Sequence, residues 1–235
     1  MLKIKAAEKS KLFESFKQMQ DNSKAEPETE KPRPPKRIIS IDIEADGRSP
    51  TRHSMLSIGA VVCDEAGNVL ETWERNLLPI PGREAEVECM EEFWSKHPEA
   101  WDYATTNAVE PSKAMKDLID LFLRHGGKEA VEWVAKPAAY DWQWLNGYYA
   151  MFREPDWPDI GFSATCISTM KKAAVEMCTL TTRAGWDTLE AAWTNGLPRN
   201  SHRALDDARY QAMVYFGAKS LLGQVKGCGA SKCNV

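Results

Sequence analysis

Ile38-Ile39-Ser40-Ile41-Asp42-Ile43-Glu44 is a β-branched apolar run that acquires two carboxylates near its end. Its length and composition predict a buried strand, bounded by Pro34-Pro35 on one side and Asp46-Gly47 on the other. Side chains two apart on a strand share a face, so Asp42 and Glu44 project together. Carboxylates held that close repel each other unless a cation sits between them, and hard oxygen ligands favour Mg²⁺ or Mn²⁺. An isolated Asp-x-Glu is expected about once by chance in a chain of this length. Its plain reading is a pair of strand-end charges facing water, so the decision rests on the rest of the chain.

Two further stretches bear on it. His202-Arg203-Ala204-Leu205-Asp206-Asp207-Ala208 places a histidine and an aspartate five apart. At about 100° per residue that spacing is not one helix face, so His202 is expected at or before the first turn and Asp207 on the second. From Ala204 to Leu222 the apolar positions Leu205, Ala208, Ala212, Met213, Phe216 and Leu221 follow a loose helical period, with Ser201 available as N-cap. Tyr140-Asp141-Trp142-Gln143-Trp144-Leu145 follows the strand-like Val131-Glu132-Trp133-Val134-Ala135. Asp141 is thereby expected to open a helix at the carboxyl end of a strand, where open α/β sheets place their ligands.

Taken in order, the Asp-x-Glu, the Tyr-Asp and the His-x-Ala-x-x-Asp-Ala resemble the three motifs of the DEDDh group of 3′→5′ exonucleases. The resemblance covers residues 38–223 and implies an α/β, ribonuclease H-like fold, a mixed five-stranded sheet flanked by helices. Leu56-Ser57-Ile58-Gly59-Ala60-Val61 is similar to the second strand of that family, and Val69 to Leu78 to its hairpin partner. Met90 to Ala100 is similar to a segment of the small stand-alone exoribonuclease branch, and on that likeness RNA is favoured over DNA. Asp42 and Glu44 match the first motif's carboxylates, Asp141 the second's, Asp207 the third's and His202 the general base. Ala204 and Ala208 fix the register on Asp207. Asp206 is left to face solvent or steady the helix N-terminus through its dipole. The chain departs from the commoner form of the second motif, which carries an Asn shortly before the aromatic-Asp pair; here that stretch reads Lys136-Pro137-Ala138-Ala139.

Phosphodiester hydrolysis must activate water, stabilise charge on phosphoryl oxygens and protect a departing alkoxide, which two divalent ions ~3.5–4 Å apart can do together. The resemblance implies two such ions, Mg²⁺ or Mn²⁺, on Asp42, Glu44, Asp141 and Asp207. It implies that Asp42 bridges both and that His202 takes the proton of the attacking water. A side chain with an unperturbed pKa near ~6.5 suits that task. The plain reading of a lone histidine is a cap or a satisfied polar core group. By analogy with the family, Met55, Leu56 and Phe93 contact the terminal nucleotide. Trp142 and Trp144 flank Asp141 and are expected to divide between a core-facing and a cleft-facing role, with Trp142 a candidate stacking surface.

With 235 residues, 43% of them hydrophobic, the chain can bury one sizeable core. It contains no apolar run long enough to span a bilayer and no secretory h-region, so a cytoplasmic protein is expected. The six cysteines, at 63, 89, 166, 178, 228 and 233, are read as free thiols, with Cys228 and Cys233 in a tail from 224 to 235. Residues 1–37 carry ten Lys or Arg against six Asp or Glu, a net +4 that leaves −8 on the remainder. That extension is read as flexible, its functional alternative being an arm that tethers a partner or nucleic acid. An acidic body does not exclude a single-stranded RNA or DNA 3′ end as substrate, since a local basic rim can supply phosphate attraction. Arg48, Arg52, Arg203, Arg209 and Lys171-Lys172 are candidates for it, and solvated surface charge is the plain reading of each. Rival readings are a proofreading or repair exodeoxyribonuclease, a non-catalytic nucleic-acid-binding module and an assembly protein acting through the arm. A homodimer is compatible with all of them.

Overall fold

The computed structural model describes residues 34–177 and 183–229. The readings made for the extension up to residue 33, for Cys178 and for Cys233 lie outside them, as does the side chain of Cys228. Cys63, Cys89 and Cys166 are free thiols.

Three strands form an antiparallel meander: β1 (Arg37–Ala45), β2 (Met55–Cys63) and β3 (Val69–Asn76). The chain then runs through α1 (Val87–Glu92), a 3₁₀ turn (Trp94–Lys96), α2 (Pro98–Thr105), α3 (Pro111–Arg124) and the short α4 (Gly127–Ala130). It re-enters the sheet as β4 (Val131–Ala135), parallel to β1, and after α5 (Ala138–Phe152) as β5 (Thr165–Cys166), parallel to β4. Three helices close the chain: α6 (Ile167–Met177), α7 (Arg183–Thr194) and α8 (Ala204–Gly229). The strand order is β3-β2-β1-β4-β5. This is the mixed five-stranded sheet flanked by helices that the motif order implied.

β1 lies in the centre of the sheet, and its period of two divides the core. Ile39, Ile41 and Ile43 pack with α3 and α5 through Met115, Leu118, Phe122, Leu145 and Tyr148. Ile38 faces the other way, into a cluster with Val61, Val134 and the α8 residues Ala208, Ala212 and Val214. Asp42 and Glu44 alternate with Ile41 and Ile43, so they belong to the α8 face. Opposite Asp42 on β2 is Gly59. A Cβ there would collide with the backbone of Ala204 and Leu205, 2.5 Å from the Ala204 carbonyl oxygen. The missing side chain therefore lets the start of α8 cross directly over β2, one strand away from the carboxylates.

The final helix begins at Ala204 rather than just after Ser201. Ser201 is thus not its N-cap; its hydroxyl accepts the Arg203 N–H at 3.3 Å within the preceding loop. The helix also runs past the 223 boundary expected for the C-terminal tail. No helix among the described residues is long and apolar enough to cross a membrane.

Candidate active site

Three elements and one loop deliver side chains to a cavity of about 180 Å³ lined by Asp42, Glu44, Asp141, His202, Asp207 and Gln211, among others. β1 supplies Asp42 and Glu44. α5 supplies Asp141 from its first turn, immediately beyond the end of β4. α8 supplies Asp207 one turn in and Gln211 four residues later, on the same helix face. All five residues expected from the motifs to form the catalytic set line this one cavity. Asp206 does not.

The loop before α8 explains how His202 is presented. Asn200 and His202 both hold positive φ, 53° and 55°, a conformation costing roughly 1–3 kcal/mol for a residue with a side chain. The Asp207 carboxylate offsets that cost by accepting the N–H groups of Ser201 at 3.0 Å and His202 at 2.8 Å. The imidazole then joins a triangle of mutually packed rings, its centroid 4.8 Å from that of Phe93 and 4.5 Å from that of His97, which are themselves 4.9 Å apart. A His202 ring nitrogen and carboxylate oxygens of Glu44 and Asp207 lie within 4.8 Å of one another.

The electrostatics of the cavity are those of buried anions without enough donors. Burial, then the neighbouring Asp141, Glu44 and Asp207, push Asp42 well above the carboxylate range, although Gln211 donates to it at 2.5 Å. Burial, then Asp207 and Asp141, raise Glu44 to about 8. Burial raises Asp141 to about 7, with the backbone amides opposing it. Asp141 is 2% exposed, and one of its oxygens is buried without a hydrogen-bond partner. His202 moves the opposite way: burial and then the adjacent His97 lower it, against Asp207, which favours the cation. A cluster of buried carboxylates short of donors, one oxygen of it orphaned, fits hard divalent cations.

Among the residues expected to hold the terminal nucleotide, Phe93 touches the site through His202. Met55 and Leu56 do not line the cavity. They are 0% and 1% exposed, Met55 in the main core and Leu56 against Trp94, Ala100 and Ala104. Trp142 turns toward Trp133, ring centroids 6.1 Å apart, and donates to the Phe162 carbonyl at 3.2 Å. Trp144 is fully buried, so the cleft-facing role expected of one of this pair falls to neither. The aromatic wall is Tyr140 instead, which donates to the Gly47 carbonyl at 3.2 Å. Lys136, noted in the sequence only as a departure from the second motif, lines the cavity, as do Asn200, Tyr210 and Gln211, which were not singled out there. Gln211 had a signal, its i+4 spacing from Asp207. Of the expected rim, Arg48 is paired with Glu86 and Glu88, and Arg203 stacks over Tyr103 at 4.8 Å.

Solved structures share this architecture. The nuclease domain of 3′hExo, a DEDDh family member bound to rAMP, superposes with a TM-score of 0.54 at 16% identity, over 83% of this chain and 94% of that one. E. coli ExoI in complex with single-stranded DNA gives 0.56 at 13% identity, over 83% of this chain and 42% of the longer one. These likenesses define the class by fold, the ribonuclease H-like fold of DEDDh exonucleases. At the level of sequence, the E. coli 3′-5′ DNA exonuclease Cap18 is 27% identical over 182 residues, 76% of this chain and 89% of that protein. Residues 37–216 match the model of the 3′-5′ exoribonuclease Rv2179c-like domain, and the chain belongs to that family of 3′-5′ exonucleases.

Proposed function

We propose that this protein removes nucleoside 5′-monophosphates from the 3′ end of single-stranded nucleic acid, with RNA preferred and divalent ions required. The observation that carries the reading is the convergence of Asp42, Glu44, Asp141 and Asp207 with His202 on one cavity. Asp42, Glu44, Asp141 and Asp207 would hold two ions, Mg²⁺ or Mn²⁺. When bound, such ions neutralise developing phosphoryl charge and make a water nucleophilic at neutral pH.

The chain's own groups have separable tasks. His202 is held neutral by burial and by His97, so its free ring nitrogen accepts the proton of the attacking water. Phe93 and His97 fix the plane of that imidazole. Asp207 fixes the backbone that carries it. Gln211 orients the Asp42 carboxylate, leaving the other Asp42 oxygen for a cation. Tyr140 offers the aromatic wall against which a terminal base can pack.

A second reading, an exodeoxyribonuclease, is favoured by the 27% identity to a DNA exonuclease and would use every one of these groups. Degradation of 5′-labelled RNA and DNA strands of one sequence, with Mg²⁺, Mn²⁺ or EDTA and alongside Asp42→Ala, separates the readings. A metal-dependent ladder shortening from the 3′ end, faster on RNA and absent in the variant, is expected. A faster ladder on DNA selects the second reading, and no ladder on either strand rejects both.

A further inference from the structure

Lys136 occupies the position where the second motif departs from its commoner form, and the catalytic machinery makes no use of it. It lines the carboxylate cavity and also a second depression of about 400 Å³, whose other walls are Ser168, Lys171, Lys172 and Glu176. These four positions on α6 recur at three-, four- and eight-residue spacings, a single helix face. Lys136 is the shared wall, so the second depression opens beside the catalytic cavity.

The three lysines differ in what already neutralises them. Lys171 donates to Glu190 at 2.5 Å. Glu190 is buried and also accepts from Trp186 at 2.7 Å and Tyr210 at 2.7 Å. Burial works against the Glu190 charge, but those donors, Lys171 first, hold it down at about 2. Lys136 stands 4.0 Å from the same carboxylate and 5.5 Å from the centre of the Tyr210 ring, with no hydrogen bond from its ammonium among the described residues. Lys171, Trp186 and Tyr210 are the closer donors to Glu190, and Lys136 forms only a longer ion pair with it that leaves its N–H groups without a hydrogen bond among the described residues. Lys172 is exposed and unpaired among the described residues. In a chain of net charge −4, a groove lined by three lysines against the one carboxylate Glu176, with Lys172 unpaired among the described residues and Lys136 in only a long ion pair, shares a wall with the catalytic cavity and complements a polyanion.

We propose that the Lys136–Lys172 groove is the track for the phosphodiester backbone on the 5′ side of the scissile bond, with Lys136 the contact nearest the reaction and Lys172 the next outward. The inference rests on the exonuclease reading, because it assumes that the 3′ end occupies the neighbouring cavity. Lys171 and Glu190 act as positioning residues that keep the groove's inner wall in place. Phosphate contacts of this kind read no sequence, which suits an enzyme that advances one nucleotide per turnover along any strand.

The test is the affinity of 5′-fluorescein-labelled single strands, a dodecamer and a dinucleotide, measured by anisotropy across a salt titration with Ca²⁺ present, together with cleavage of the dodecamer in Mg²⁺. The proteins are the full chain, Lys136→Gln and Lys172→Ala; the second of these alters an exposed residue and tests the groove even if the first perturbs folding. Each substitution is expected to weaken dodecamer binding roughly fivefold at low salt and to flatten the plot of log Kd against log salt by about 0.7. The dinucleotide should show the smaller loss. Equal losses on both strands would confine the lysines to the scissile phosphate and overturn the track. Cleavage by the full chain with unchanged salt slopes in both variants would overturn the groove and leave the nuclease standing. Lysine-dependent slopes without any cleavage would support the groove and overturn the nuclease.

Discussion

The carboxylate of Asp207 has two duties, as a cavity anion and as the acceptor for the N–H groups that hold His202 in its left-handed conformation. Asp206 has neither, being a half-buried residue in the first turn of α8 with no part in the cavity. Asp207→Ala is expected to lower kcat/KM by on the order of a thousandfold or more, and Asp206→Ala by less than about threefold, measured on a labelled strand. Comparable losses in both would move the motif register by one. The raised carboxylates carry a second consequence. Burial, with Asp207 and Asp141 beside it, lifts Glu44 from the ordinary glutamate value of 4.5 to about 8 in the fold, so the native state binds the extra proton between those limits. By linkage its contribution to stability is present below about pH 4.5 and is lost as the pH climbs through about 8. The metal-free protein is therefore expected to lose several degrees of Tm between pH 5 and 8, and Glu44→Gln to flatten that slope. Mg²⁺ should raise Tm more at pH 8 than at pH 5. A metal-free Tm that climbs over this interval, followed by differential scanning fluorimetry, would contradict the assignment.

At the scale of elements, the site depends on how α8 is seated on the sheet. Gly59 allows the approach, and the atoms a side chain would meet there are backbone. Gly217 is crowded too, but by the ring of Trp193, a side chain outside the carboxylate cavity rather than backbone. Gly59→Ala is expected to cost about 1–3 kcal/mol in urea unfolding, as overpacking does, and to reduce kcat further because Asp207 is carried off with the helix. Gly217→Ala should lower stability and leave kcat within about twofold. Equal effects on kcat would mean that the helix position is set elsewhere. This dependence also marks the limit of what was legible in the sequence. Asp42 and Glu44 could be placed by the two-residue period of a strand, and Asp207 by the small residues around it, Ala204 and Ala208, both buried against the sheet. The crossing of Gly59 by Ala204 joins positions 145 residues apart, and no local period encodes it. Met55 and Leu56 were expected to contact a nucleotide by analogy with the family alone. β2 is covered on both faces, so its whole length is buried and hydrophobicity alone did not reveal which residues meet the cleft. Trp142 does not line the carboxylate cavity, where Tyr140 does, because its ring packs toward Trp133 and donates to the Phe162 carbonyl, contacts that adjacency to Asp141 in sequence does not encode.

At the scale of the molecule, β1 is paired with β2 along almost its whole length and with β4 over Arg37–Ser40, is covered on both faces, and carries half of the carboxylate set. The lowest-lying routes of local opening, through chain ends and loops, leave such a strand untouched. Backbone amide hydrogens on Ile38, Ile39 and Ser40, paired on both sides, are accordingly expected to exchange with deuterium only through global unfolding, while those around Asn200 to His202, in a loop, exchange sooner. Faster exchange on β1 than on β3, an edge strand, would contradict the arrangement. On that expectation the catalytic centre joins the continuation of the most protected strand to a loop held chiefly through the Asp207 carboxylate. Heat or denaturant should first blur the position of the proton acceptor and only later disperse the anionic cluster. Between those two events lies a condition in which the protein still takes up divalent ions but no longer turns over, a separation that parallel titrations of ion binding and of strand degradation would reveal.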